Sequence, residues 1–380
     1  MTDCDENKIT ADSSNASVGR QRVRATESMA GTGAGTGAGT GAGTGAGTGA
    51  VTLRQLYDGA QRGDGEQVQA LLEVLPSCDT SSRQMSKVTC ALAAAVRNDH
   101  VSVVGAFVSR RLHLSLPMTS PSLLSLAARH GSVHVAAVLV AAKVSVNVNQ
   151  CPSTETPLLM AAAQGHLSCV LLLLAAKACV HAAKGCLHRA SMEGHAKVVE
   201  CLARASANVN MPDRVGHTPV YYAAAGLHEP TLQVLLDARA DVNKPTYAGA
   251  LLSAALCSPR RPSVFRLLLG ARADVNMQTP DGDMALNLAV MQRCSDAVVK
   301  LMLRAKADVN ATSRIGFTAL HYAARFDRRS TAHLLVRAKA NMRAEAGAGS
   351  TAAAVARQNN HFELAEYLDA QEVGTRVCKV

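Results

Sequence analysis

The densest set of side chains able to do chemistry lies in one stretch: Cys179, His181, Cys186, His188, His195 and Cys201. Thiolate sulfur and imidazole nitrogen are the ligands of structural zinc, and two Cys and two His fall between Cys179 and His188. Such sites are usually nucleated by two ligands of one type two to four residues apart, close enough for one turn to hold both. Cys179 and Cys186 are further apart than that, so a structural role is favoured over a metal. Nucleophilic catalysis has no better footing, because no Gly-x-Ser-x-Gly elbow occurs. Residues 31–50 are five copies of Gly-Thr-Gly-Ala, which invites comparison with a phosphate-cradling loop. Both phosphate-binding fingerprints need two glycines five positions apart. Every glycine from Gly31 to Gly49 is odd-numbered, so the fifth step always lands on Thr or Ala. No cofactor, metal or small-molecule substrate is expected, and no enzyme.

Composition points the same way. Of 380 residues 48% are hydrophobic, yet only six Tyr and five Phe are aromatic and Trp is absent. Burial must therefore rest on Ala, Leu and Val, which suits stacked helices better than a β-sandwich or barrel. The formal charge is +10, and setting aside the four basic and five acidic groups of residues 1–50 leaves +11 on the remainder. Eleven scattered cysteines form no Cys-x-x-Cys pair, which implies reduced thiols. The sequence opens on Asp3, Asp5 and Glu6 without an apolar segment, and its longest uncharged apolar run, Leu167 to Ala176, is too short to span a bilayer. A cytoplasmic or nuclear location is expected.

What must position any functional residue is an internal repeat. Ala207-Asn-Val-Asn210, Ala240-Asp-Val-Asn243, Ala273-Asp-Val-Asn276 and Ala307-Asp-Val-Asn310 recur at intervals of 33, 33 and 34. Between them stand Thr218-Pro219-Val220-Tyr221 and Thr318-Ala319-Leu320-His321, and upstream Thr156-Pro157-Leu158-Leu159 leads into Ala161-Ala162 and Gly165-His166. The threonines fit helix N-caps and the prolines a first helical turn, where a missing N–H costs nothing. Paired alanines allow close helix approach, and Gly165 or Gly194 allows a reversal. The next helix carries a Leu/Val stripe too wide for one unit to bury, Leu172 and Leu235 included, so units must stack. Asp241, Asp274 and Asp308 occupy equivalent places in their units, which suits structure better than catalysis.

Period and motif resemble the ankyrin repeat. The resemblance implies an all-α solenoid of stacked helix-turn-helix units with short β-hairpin-like loops. About ten units fit residues 51–373, with degenerate first and last members. They follow a disordered head at 1–50 and precede a short tail at 374–380. It also places His188 at the signature histidine, expected to bond adjacent loops together, and His195 at the Gly-His position. Two departures stand out. The loop from His181 to His188 is too short for a hairpin tip, and two extra residues near Ser258–Pro262 should project from the surface.

The family's usual glycine after the second helix is missing. That column reads Arg111, Lys143, Lys177, Ser206, Arg239, Arg272, Lys306 and Lys339. At the 8–10 Å spacing of packed helices it makes a basic ridge about 60 Å long. Cations there offset the helix macrodipole and aid solubility; the ridge also suits an acidic protein, an anionic membrane or a nucleic acid. The family's partners usually meet loop tips and the exposed positions of the first helix. In this sequence those places hold Arg214, Val215, His217, Tyr222, Tyr247, Arg314, Ile315, Phe317, Tyr322, Arg325 and Phe326, with Phe317 and Arg314 the best candidates for exposure. The expected function is a monomeric, non-enzymatic adaptor that binds a protein partner on this face, with the ridge as its electrostatic rival.

Overall fold

The computed structural model describes residues 46–74, 82–110, 122–147, 156–180, 185–244, 249, 261–279, 282–347 and 349–377. Tyr247, Arg111, His181 and the insertion at 258–260 lie outside these residues, as does most of the loop before His188. The described helices belong to one compact unit, Thr48–Val380, apart from the first turn of the first helix.

Helices come in pairs. The first five are Ala46–Arg62 with Gly65–Val74, Ser82–Arg97 with Val101–Ser109, Leu123–His130 with Val133–Ala141, Pro157–Gln164 with Leu167–Ala175, and Cys186–Met192 with Ala196–Arg204. Pro219–Ala225 with Glu229–Asp237 follows, then Pro262–Gly270, whose preceding residues 250–260 lie outside the described ones. The last three are Ala285–Met291 with Asp296–Arg304, Ala319–Arg325 with Arg329–Arg337, and Ala352–Gln358 with Phe362–Val377. The final helix runs four residues past the border expected at 373. Second helices pack on second helices in one row from Gly65–Val74 to Arg329–Arg337, and Pro262–Gly270 takes its place in that row. First helices pack on first helices beside it, as Leu123–His130 does on Pro157–Gln164. The only β pairing among the described residues is two isolated bridges, Gln278 with Met284 and Ala346 with Ser350.

Local chemistry explains the borders. Thr156 Oγ1 accepts from Leu159 N–H at 3.3 Å and Thr218 Oγ1 from Tyr221 N–H at 3.4 Å, each followed by a proline in the first turn. Gly165 (φ 76°) and Gly194 (φ 79°) take the left-handed turn. Ala161, Ala162, Ala223, Ala224, Ala323 and Ala324 are fully buried, which lets first helices approach closely. Leu173, Leu202, Leu235 and Leu268 are fully buried at the equivalent place in successive second helices. Leu172, expected in that seam, is only half-buried; the inward stripe runs one residue later, through Leu173.

Asparagine stitches the units together. The Asn210 side-chain oxygen accepts from Asp241 N–H of the next unit at 2.7 Å. Asn243 does the same for Asp274 (2.7 Å), Asn276 for Asp308 (2.9 Å), Asn310 for Asn341 (2.7 Å) and Asn147 for Cys179 (2.8 Å). The amide ends of Asn243 and Asn276 donate in turn to the carbonyls of Arg272 and Lys306. These asparagines satisfy backbone groups that neighbouring units leave unpaired.

Candidate functional site

Three hairpin tips share one construction, the one at Thr279 (Thr279 N–H to the Asp283 carbonyl at 2.9 Å, Gly282 N–H to the Thr279 carbonyl at 2.8 Å) standing between the two described next. Asp213 N–H donates to the His217 carbonyl at 2.9 Å, and Gly216 N–H returns to the Asp213 carbonyl at 3.1 Å with Gly216 at φ 93°. One Asp213 carboxylate oxygen accepts from Val215 and His217 N–H at 2.9 Å each, and the other from the Tyr222 hydroxyl at 2.6 Å. Burial alone would raise the Asp213 carboxyl, but those three donors outweigh it and hold it below the ordinary carboxylate range. Burial and the Asp213 bond together push the Tyr222 hydroxyl well above its usual value. Three units on, Ser313 plays the part of Asp213. Its N–H donates to the Phe317 carbonyl at 2.8 Å, its hydroxyl accepts from Phe317 N–H at 3.2 Å, and the Tyr322 hydroxyl donates to it at 3.3 Å.

Both tips hold an arginine and a β-branched residue out in solvent. Arg214 and Arg314 are exposed, Val215 is 65% exposed and Ile315 54%. The other predicted contact residues are less free. His217 is half-buried and stacks on Tyr221 with centroids 3.8 Å apart, and Tyr222 is half-buried against both. Phe317, expected to be exposed, is half-buried against His321 and Tyr322. Tyr322 is only 6% exposed; its ring packs edge-on against Phe317 within the core and is not a free contact. Arg325 is exposed and Phe326 half-buried.

Of the metal-like cluster, His181 lies outside the described residues, and His188 and His195 each bond a backbone carbonyl of an adjacent unit. His188 Nε2 donates to the Met211 carbonyl of the next unit at 2.8 Å, and His195 Nε2 to the Ala163 carbonyl of the previous unit at 3.3 Å. Burial pushes the Cys186 thiol up to about 11, which keeps it protonated. Elsewhere His321 takes the His188 role: Nδ1 accepts from Thr318 N–H at 3.1 Å, so the proton sits on Nε2 and is donated to the Ser350 carbonyl at 3.1 Å. In the unit just before that of His321, Asn287 substitutes, donating to the Ala311 carbonyl at 3.0 Å.

A second family of histidines closes the junctions between units. His100, His166, His195 and His228 each donate to a carbonyl near the end of the preceding first helix, and each ring lies where a Cβ on the preceding Gly63, Gly131, Gly165 or Gly194 would stand, 2.5–2.7 Å away. The ridge residues Lys143, Lys177, Arg239, Arg272, Lys306 and Lys339 are all exposed and, with Ser206, keep the left-handed turn without glycine, at φ 59–66°. Sequence reading took the Ala-Asp-Val-Asn asparagines as period markers and missed that they join units; their recurrence at one place in each unit was the available signal.

A family model described as ankyrin repeats (3 copies) matches residues 92–184, 176–246 and 251–346. The chain belongs to the ankyrin-repeat family. The matches begin inside the second helix pair and stop before the last, where the ankyrin pattern is weakest. Among solved structures, the crystal structure of the ankyrin repeat domain of Bcl-3, a member of the IkappaB protein family, is similar at 27% identity. That similarity covers 55% of this chain and 97% of that one, with a TM-score of 0.47. No curated protein matches the sequence. As an ankyrin array the chain is a protein-interaction module, and no helix among the described residues is long and apolar enough to cross a membrane.

Proposed function

We propose that the array is a non-enzymatic adaptor whose partner protein docks on the hairpin tips and the exposed ends of first helices in its C-terminal half. One observation carries the reading. Two tips three units apart present the same Arg-aliphatic pair, Arg214-Val215 and Arg314-Ile315, on loops already fixed by internal hydrogen bonds. A contact surface ordered in advance spares the partner that entropy, and arginine is enriched where interfaces are strongest. An exposed Val or Ile gains nothing in the free chain, whereas covering it contributes about 25 cal/mol per Å². Stacking at 8–10 Å per unit sets the two tips roughly 25–30 Å apart, within a standard interface.

The basic ridge supports a second reading, an electrostatic binder of anionic membrane or nucleic acid, because its cations are exposed in one register. Asp241, Asp274 and Asp308, each two residues on from a ridge cation and exposed, weaken it by offsetting charge in three units. Affinity capture with the full chain, at low and moderate salt, separates the two. The docking reading expects the captured partner to be lost from Arg314→Ala with Ile315→Ala and to survive moderate salt. Capture that collapses with salt and with Lys143→Ala plus Lys177→Ala, but ignores the tips, would overturn it.

A further inference from the structure

The junction between the units of Ala285–Met291 and Ala319–Arg325 departs from the Gly–His junctions earlier in the array. Where Gly131, Gly165 and Gly194 meet the next unit's histidine, this junction has Arg293, at φ 57°, facing a unit whose second helix starts from Arg328. The Arg293 guanidinium carbon lies 5.1 Å from the Phe326 ring centroid and that of Arg325 5.8 Å from it. Both arginines are exposed, while Phe326 is half-buried and also packs against the core. The carboxylates nearby in sequence are already committed. Asp296 accepts from Arg328 at 3.3 Å and from the Thr331 hydroxyl at 2.7 Å, and Asp327 (3.1 Å) and Glu363 both pair with Arg329. Among the described residues no ion pair includes Arg293 or Arg325. Two like charges thus share one aromatic ring with no ion-pair partner among the described residues.

We infer that Arg293, Arg325 and Phe326 form a clamp for an oxyanion carried by an extended acidic segment of the partner protein. The inference rests on the docking reading above and deepens it. Guanidinium forks match carboxylate and phosphate oxygens bidentately, and such charge-assisted bonds are about twice as strong as neutral ones. The ring contact orients each fork while its outer N–H groups stay free to donate. The Arg314-Ile315 tip stands before the other end of the same first helix, which has seven residues, or about 10 Å at 1.5 Å per residue. Extended chain covers that in about three residues. One short segment with an anionic residue at the clamp and an apolar residue at the tip would satisfy both.

Two labelled probes test this on the full chain by fluorescence anisotropy at low ionic strength: hexaglutamate, and a Gly-Ser peptide carrying one phosphoserine. At least one should bind, and which one binds identifies carboxylate or phosphate as the source of the oxyanion. Arg293→Ala with Arg325→Ala should weaken that binding about 10-fold or more, through the loss of charge-assisted hydrogen bonds. Lys143→Ala with Lys177→Ala should change it less than about two-fold, as expected for remote exposed charges beyond screening distance. Failure of both probes to bind, or equal losses in the two double variants, overturns the clamp. Should the alanine pair fail to fold, Arg293→Lys with Arg325→Lys keeps the charge and removes the forks; unchanged binding there also overturns it. A clamp that fails while partner capture still depends on Arg314 and Ile315 falls alone and leaves the docking surface standing.

Discussion

Two columns of left-handed residues run along this array, one after the first helices and one after the second, and they differ in residue type for the same backbone turn: the first mixes glycine with other residues and the second, among the described residues, has none. The first holds Gly63, Gly131, Gly165 and Gly194, with Asp99, Leu227, Arg293, Asp327 and Asn360 in other units. The second has no glycine among the described residues: Lys143, Lys177, Ser206, Arg239, Arg272, Lys306 and Lys339. The hydrogen bonds are alike. His166 N–H reaches back to the Ala161 carbonyl as Ala178 N–H does to Leu173, the closure of a Schellman turn in both columns. A left-handed dihedral angle therefore does not by itself demand glycine here. What sets the four glycines apart is the neighbour: a histidine ring occupies their Cβ position, although at the junction with His361, which makes the same bond to the Arg325 carbonyl, Asp327 keeps its Cβ. In the second column the side chains stand in solvent at a helix C-terminus, where a cation is stabilising by about 0.3–1 kcal/mol.

The apolar seam beneath both columns sets the scale. Leu235→Ala, at a fully buried site, should lose about 2–5 kcal/mol in a denaturant melt. An unchanged midpoint would contradict a shared core. Next comes Gly165→Ala, which adds left-handed strain to a Cβ 2.6 Å from His195; a loss of about 2–3 kcal/mol is expected. Adding His195→Ala should return part of that, leaving about 1–2 kcal/mol of backbone strain. If the second change restores nothing, space is not what the glycine is for.

Acid should act more gently, through other histidines. Burial holds His188, His217 and His321 below the ordinary imidazole range. The unfolded chain then takes protons first, so stability is whole above the ordinary range and is lost as pH falls through about 6.5. The melting temperature should drop between about pH 7.5 and about pH 5.5, and drop less in His321→Gln. Smallest of all is Lys177→Gly. Relief of left-handed strain, about 1–2 kcal/mol, is offset by glycine's unfolded-state entropy and the lost helix-end charge, leaving a change within about 1 kcal/mol. A loss comparable to that of Gly165→Ala would erase the distinction between the columns.

The repeat, the threonine caps and the paired alanines were legible because each follows from local chemistry recurring at a fixed interval. The basic ridge was legible too, since its register is set by the same period. Exposure at the site was harder. Phe317 and Tyr322 follow an otherwise similar loop to His217 and Tyr222, yet Tyr322 sinks into the core while Tyr222 stays half-buried beside Asp213. That depends on how neighbouring units fill the space between them, which no single unit's sequence contains. Arg293 escaped notice for the same reason: its meaning lies in Phe326, a residue of the following unit.

The asparagine links carry a genetic consequence. Because Asn243 and Asn276 meet the same backbone amide of whatever follows, deleting residues 244–276 would hand Asn243 to Asp308 with its bond chemistry intact. Duplication or loss of a whole 33-residue segment can thus be tolerated without inventing a new boundary, and a chain shortened this way should still melt as one transition. Array length becomes something recombination can adjust, while the tips and the clamp are free to diverge.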